Sequence, residues 1–189
     1  MSLEYEQSDK YSTFTDYRDG KVYKTVKIGS QVWMAENLGY PIGGRYYKDE
    51  HAYGKKYHLL YDWHSAMVAC PSGWHLPSQR EWNTLIDFVG GEKVAGEKLK
   101  AKSGWNPEGK KSCNGTDEFG FAALPGGFGK VRRNSIEFQD AGSDGYWWSC
   151  TESDGWRAYN RYIYLYSKEI DSEIINKRSK MFSVRCVMN

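Results

Sequence analysis

From Lys21 to Ile28 polar and apolar residues alternate, Gly29-Ser30 turns the chain, and Gln31 to Met34 resumes with β-favouring residues, which predicts a hairpin. Leu59 to Ala69 is mixed in period and reads as a helix entered after the tyrosine-rich, glycine-punctuated stretch 40–58. The clearest helix starts at Ser78. Ser78-Gln79-Arg80-Glu81 is a capping box, in which serine hydroxyl and glutamate carboxylate satisfy each other's free backbone donors. Trp82, Leu85, Ile86 and Val89 follow at helical spacing as an inward stripe, and Gly90-Gly91 ends it. A shorter helical piece follows at 92–101, weakened by Gly96. After Gly104 the chain becomes loop-like, with Asn106-Pro107, Asn114-Gly115 and Pro125-Gly126-Gly127. Three strands close it, at 145–150, 157–166 and 181–188. In the middle one Ile163 and Leu165 face one way and Tyr162, Tyr164 and Tyr166 the other. Strands, helices, loops and strands in that order predict an α+β chain with short antiparallel sheets, about two helices and long ordered loops.

Composition narrows the function classes. The chain has 189 residues, enough for one domain with one sizeable core. With 8 Trp and 15 Tyr, much of its apolar surface is carried by rings with a polar handle, suited to cores and to binding faces alike. Its formal net charge of +2 gives no field to attract nucleic acid or an anionic membrane. No stretch approaches the length of a membrane helix, and no signal peptide is visible. Residues 1–15, from Met1-Ser2-Leu3 through a polar run, read as a tether preceding a domain at 16–189, with a native signal expected to have been trimmed away.

Cys70, Cys113, Cys150 and Cys186 lie far apart and never form the C-x-x-C spacing of zinc or redox sites. Two disulfides are expected; spacing leaves all three pairings open, and buried free thiols are the alternative.

Three groups of segments carry a resemblance. The first is Asp19-Gly20-Lys21-Val22-Tyr23-Lys24-Thr25-Val26-Lys27-Ile28-Gly29 with Trp33-Met34-Ala35-Glu36-Asn37-Leu38. The second is Cys70-Pro71-Ser72-Gly73-Trp74-His75-Leu76-Pro77 with Glu81-Trp82. The third joins Gly120-Phe121-Ala122-Ala123-Leu124-Pro125-Gly126-Gly127, Gly145-Tyr146-Trp147-Trp148-Ser149 and Phe182-Ser183-Val184-Arg185-Cys186-Val187. In this order they resemble the Fibrobacter succinogenes major paralogous domain over about residues 16–188. That resemblance implies a C-type-lectin-like fold, similar to formylglycine-generating enzyme and to the variable receptor-binding proteins of diversity-generating retroelements. It also implies a secreted or lipoprotein-borne module at the extracellular or outer-membrane surface, and no particular activity. It implies a Cys70–Cys186 bridge and, for the remaining pair, Cys113–Cys150, although Cys150 stands where the family often has serine.

The chemistry of such folds then fails in two places. An oxidase of the formylglycine-generating kind needs two closely spaced cysteines near the terminal strand, and beside Cys186 the position five residues earlier is Met181. Calcium-dependent sugar binding needs Glu-Pro-Asn or Gln-Pro-Asp with Trp-Asn-Asp, and neither triplet occurs. No cofactor is expected, save that Asn114, Asp117 and Glu118 are close enough to offer oxygens to a structural calcium. His51, His58, His64 and His75 lack metal-helix spacing and read as structural or surface groups.

What remains is a loop surface of rings and guanidinium groups: Trp105, Arg132, Arg133, Asn134, Trp156, Arg157 and Tyr159. Trp33, Trp74, Trp82, Trp147 and Trp148 belong to the motifs and read as core. The leading reading is therefore a monomeric binding module for a glycan or a cell-surface protein rather than an enzyme. The others are an enzyme using a pocket with histidine and carboxylate, and a structural surface component.

Overall fold

The computed structural model describes residues 10–189. Strand β1 (Tyr11–Asp16) leads into β2 (Lys21–Ile28) and β3 (Gln31–Met34). The expected hairpin is present, with Val26 opposite Trp33 and Gly29 at φ +60° in the turn. The assignment of 1–15 to a tether is corrected for its last residues: 11–15 lie in β1, which pairs along its length with β2. Residues 1–9 of that segment lie outside the described residues.

Four α-helices follow rather than about two: α1 (His51–Tyr57), α2 (Trp63–Ala69), α3 (Gln79–Phe88) and α4 (Glu92–Leu99), with the short strands β4 (Leu60–Tyr61) and β5 (Trp74–His75) between them. The helix expected over 59–69 begins only at Trp63. Leu60–Tyr61 pairs instead with a strand from the far end of the chain, and Asp62 caps α2, its carboxylate accepting from Ser65 N at 3.1 Å. α3 has the capping box in full: Glu81 N donates to Ser78 Oγ at 3.2 Å and Ser78 N donates to Glu81 Oε2 at 2.8 Å. Its stripe of Trp82, Leu85, Ile86 and the following Val89 is buried.

Beyond the long segment 100–125 come β6 (Gly126–Val131), β7 (Ile136–Ala141), β8 (Gly145–Glu152), β9 (Arg157–Ile163), β10 (Asp171–Asn176), β11 (Lys180–Ser183) and β12 (Val187–Met188). The three expected closing strands differ in extent: the first runs on to Glu152, the middle one stops at Ile163, and the last is broken between Ser183 and Val187. β12 leaves the main sheet to pair with β3 and β5, giving one sheet in the order β1-β2-β3-β12-β5. The larger sheet runs β10-β9-β8-β11-β6-β7, with β4 beside β11.

Alternation along β8 separates two cores. Trp147 joins Trp33, Trp82, Phe121 and Ile163 under α3 and α4, while Trp148 joins Tyr23, Trp63, Phe182 and Cys186 beside α2. All five motif tryptophans are buried, as their positions predict. Between the cores, Arg185 Nη2 donates to Asn37 Oδ1 at 2.9 Å and Trp147 Nε1 donates to the same oxygen at 2.9 Å.

Cys70 is bridged to Cys186 with a Cα–Cα distance of 6.0 Å, as the resemblance implied. The expected Cys113–Cys150 bridge is corrected: both thiols are free. The reason is placement, since Cys113 packs against the first core and Cys150 against the second.

Candidate functional site

Three turns come together at one end of the larger sheet. Arg132 to Ser135 closes the hairpin β6–β7, Ser153 to Trp156 closes the hairpin β8–β9, and Lys177 to Ser179 leads from β10 to β11, which are not neighbours in the sheet. The third turn sits between the others: Lys177 N donates to Trp156 O and Val131 N donates to Ser179 O, both at 3.0 Å. Backbone bonding thus fixes Trp156, Arg178 and Arg132 in a row.

Across these turns lie three clefts that share walls. The first holds His64, Trp156 and Arg178, the second Arg178, Asp62 and Arg45, and the third Arg45, Asp49, Arg132 and Asn134. Because Arg178 borders the first two and Arg45 the last two, the clefts form one shallow trough from Trp156 to Asn134. Trp156 is 71% exposed at its end, its backbone N–H donating to Asp154 Oδ1 at 2.8 Å. An indole left in water costs free energy that a stacked partner would recover.

Two guanidinium groups of the trough, Arg45 and Arg132, and Arg157 beside it are paired, while Arg178 makes no ion pair among the described residues. Arg45 Nε meets Asp49 Oδ1 at 2.8 Å, Arg132 Nη2 meets Glu137 Oε2 at 2.9 Å and Arg157 Nη2 meets Asp154 Oδ2 at 2.7 Å. Hydrogen bonds from Arg157 and Arg132 hold the Asp154 and Glu137 carboxyls below their usual range. Such pairs offer a planar donor beside an acceptor, an arrangement suited to hydroxyl or amide groups. Under the trough floor Lys177 Nζ bonds Glu152 Oε2 at 2.6 Å and lies over the Trp63 ring, which keeps the turn rigid.

The residues singled out from sequence divide accordingly. Arg132, Arg133, Asn134, Trp156 and Arg157 are exposed at the turns, and Arg132, Asn134 and Trp156 border the trough. Trp105 is a correction: it is 4% exposed, its Nε1 donates to Ala123 O at 3.0 Å, and it belongs to the first core. Tyr159 is half-buried within β9, opposite Ile174, away from the turn. Arg45, Asp49 and Arg178 were missed. Nothing local marks them, because Arg45 reaches the trough through its bridge to Leu60 and Arg178 through the unexpected strand β10.

Elsewhere, a polar cavity of about 150 Å³ contains Lys100 and the free Cys113, but the Lys100 ammonium is already held by Leu165 O and Ser167 O at 2.8 Å each. In the loop considered for calcium, Asn114 Oδ1 accepts from Trp105 N and Asp117 Oδ1 from Ala122 N. Among the described residues no group of three or more His, Cys, Asp or Glu is arranged to hold a metal, and no helix is long and apolar enough to cross a membrane.

No curated protein and no solved structure matches the chain. The model of the Fibrobacter succinogenes major domain matches residues 26–188, a span that includes both sheets' central strands, the bridged cysteines and the whole trough, and the chain therefore belongs to that family.

Proposed function

We propose that this protein is a secreted or lipid-anchored surface module, on a C-type-lectin-like scaffold, that binds an extended glycan or a segment of a partner protein in the trough across these three turns. It acts as a binder rather than a catalyst, and as a monomer. The observation that carries the reading is the exposed Trp156 ring at the end of a row of guanidinium–carboxylate pairs. A ring to stack on and fixed donors and acceptors beyond it are the ordinary parts of a site for a polar, ring-containing or extended ligand. The disulfide supports a location outside the reducing cytosol, and the return of β12 to the N-terminal sheet supports the scaffold assignment.

The test is a glycan array and a cell-wall polysaccharide pull-down with the oxidised protein, with and without calcium. A specific hit weakened at least about tenfold by Trp156→Ala, and further by Arg178→Ala, is the expected result, since a lost stacking ring is worth about 1.4 kcal/mol or more in a desolvated site. A hit indifferent to both substitutions overturns the trough as the site. Absence of any hit leaves the protein-segment half of the reading, for which the same variants serve in a peptide screen.

A further inference from the structure

Away from the trough, three side chains from separate elements meet near the smaller sheet. Lys21 opens β2, Glu36 follows β3, and His58 follows α1. Lys21 Nζ lies 2.8 Å from His58 Nδ1, and His58 Nε2 lies 3.1 Å from Glu36 Oε2. An ammonium only donates, so His58 Nδ1 accepts and the ring carries its proton on Nε2, which donates to the carboxylate. Glu36 is itself fixed, because Lys24 N donates to its Oε1 at 2.9 Å.

Two features of the backbone serve this cluster. His58 has φ 64° and ψ −134°, a conformation glycine adopts readily and histidine rarely. Gly39 runs so close that a Cβ there would stand 2.5 Å from Lys21 Nζ and 3.1 Å from His58 Nδ1. Backbone strain at one residue and a bare backbone at another are both needed to let ring and amine approach. Burial lowers the affinity of Lys21 for its proton, against the opposing pull of Glu36 and Asp19.

Amine, imidazole and carboxylate in this order have the arrangement of an activated nucleophile, a base within hydrogen-bond reach and a group that orients the base. The geometry points to Lys21 as an activated amine that forms an amide with an activated acyl donor, such as an ester, thioester or acyl phosphate. In the step, the neutral amine, having given its extra proton to solvent, attacks the acyl carbon and forms the C–N bond. The bond from that carbon to the leaving group breaks, and the leaving group departs with the electron pair. The proton released from nitrogen passes to His58 Nδ1, and the imidazolium so formed faces the Glu36 carboxylate.

The experiment is competitive acetylation of the intact protein at near-neutral pH with a limiting amount of an activated acetyl ester, read by peptide mass spectrometry. Lys21 is half-buried, whereas Lys55 and Lys110 are exposed and serve as internal references. The expected result is a Lys21 rate at least about tenfold above both references, the lower range of what a positioned base contributes. His58→Gly, which removes the ring and suits the backbone conformation at that position, brings Lys21 down to the reference rate, and Glu36→Gln gives an intermediate value. A Lys21 rate at or below the references in the native chain overturns the proposal and leaves a purely structural ammonium. A rate that stays high in His58→Gly also overturns it, because burial alone would then activate the amine.

Discussion

Arg185 is wholly buried, and among the described residues no carboxylate pairs with it. Its guanidinium is instead met by Asn37 Oδ1, by Met34 O at 3.2 Å and by Phe121 O, with the Phe121 ring 4.4 Å from its centre. Five fixed donors distributed over a planar fork suit this set, and a single ammonium does not. Arg185→Met, which strands those acceptors in the interior, is expected to cost about 3 kcal/mol, and Arg185→Lys is expected to recover less than half of it. Urea unfolding midpoints of the two variants measure both. A second residue makes the acid limb of stability testable. Hydrogen bonds from Arg18, opposed by burial, hold the Asp16 carboxyl below its ordinary 3.8. A carboxyl whose folded value is depressed stabilises the fold above its unfolded value, and that contribution disappears as pH falls through the folded one. The melting temperature of the native chain should therefore fall more steeply below about pH 3.8 than that of Asp16→Asn, and parallel curves would remove Asp16 from the account. Neither role is legible in sequence, where Arg185 is a polar letter in a mostly apolar run and Asp16 stands at the first position after the stretch read as a tether.

At the scale of elements, what the sequence discloses is what a few neighbouring residues decide among themselves. The capping box at Ser78 and the turn at Gly29-Ser30 are of that kind, and both stand where the pattern places them. Glu81 does more than close the box. Burial works against its ionised form, yet Ser78 N, Ser78 Oγ and His75 Nε2 at 2.6 Å hold its carboxyl below the usual range. Ser78→Ala is accordingly expected to cost about 1 kcal/mol, and Glu81→Ala more than that, because it also releases His75. Chemical denaturation resolves the difference, and equal losses would mean that His75 contributes nothing. The elements that escaped detection are those whose faces are set by distant partners. β6 is half glycine, since Gly127 and Gly129 let β7 and β11 approach closely, and its pattern therefore lacks alternation. β10 is mostly exposed and polar, and it is a strand only because β9 pairs with it. α1 carries Gly54 in its middle, where a Cβ would strike Tyr46, and so fails any test of propensity. The trough inherits this opacity: Trp156 and Arg132 were legible as loop residues, but Arg178 depended on the turn after β10, a strand that local pattern does not announce.

For the molecule as a whole, the decisive covalent contact joins residues far apart in sequence. Cys70 and Cys186 are 116 residues apart, and their bridge ties the end of α2 to the residue just before β12, the strand that returns to the first sheet. Spacing left every pairing of four cysteines open; what separates them is the division into two cores, which no local pattern reveals and which places Cys113 on one side and Cys150 on the other. The energetic consequence comes from chain length. Closing a loop of this size restricts the unfolded chain enough to stabilise the fold by about 4 to 5 kcal/mol on the entropic model. The double substitution Cys70→Ser with Cys186→Ser should lower the unfolding free energy by about that amount, and the reduced native chain should unfold at the same denaturant concentration as that variant. Cys113→Ser with Cys150→Ser should change stability by less than about 1 kcal/mol, since two free thiols half-open to solvent are exchanged for hydroxyls. The comparison separates two designs for the scaffold. If the first variant is barely affected, the interlocked pairing of β12 with β3 and β5 and the buried Arg185 network already hold the chain ends together, and the bridge serves only kinetic resistance to unfolding. If the second variant is as damaged as the first, the two free thiols pair in solution, the cores lie closer than the structure places them, and the account of the fold given by its two tryptophan faces fails with them.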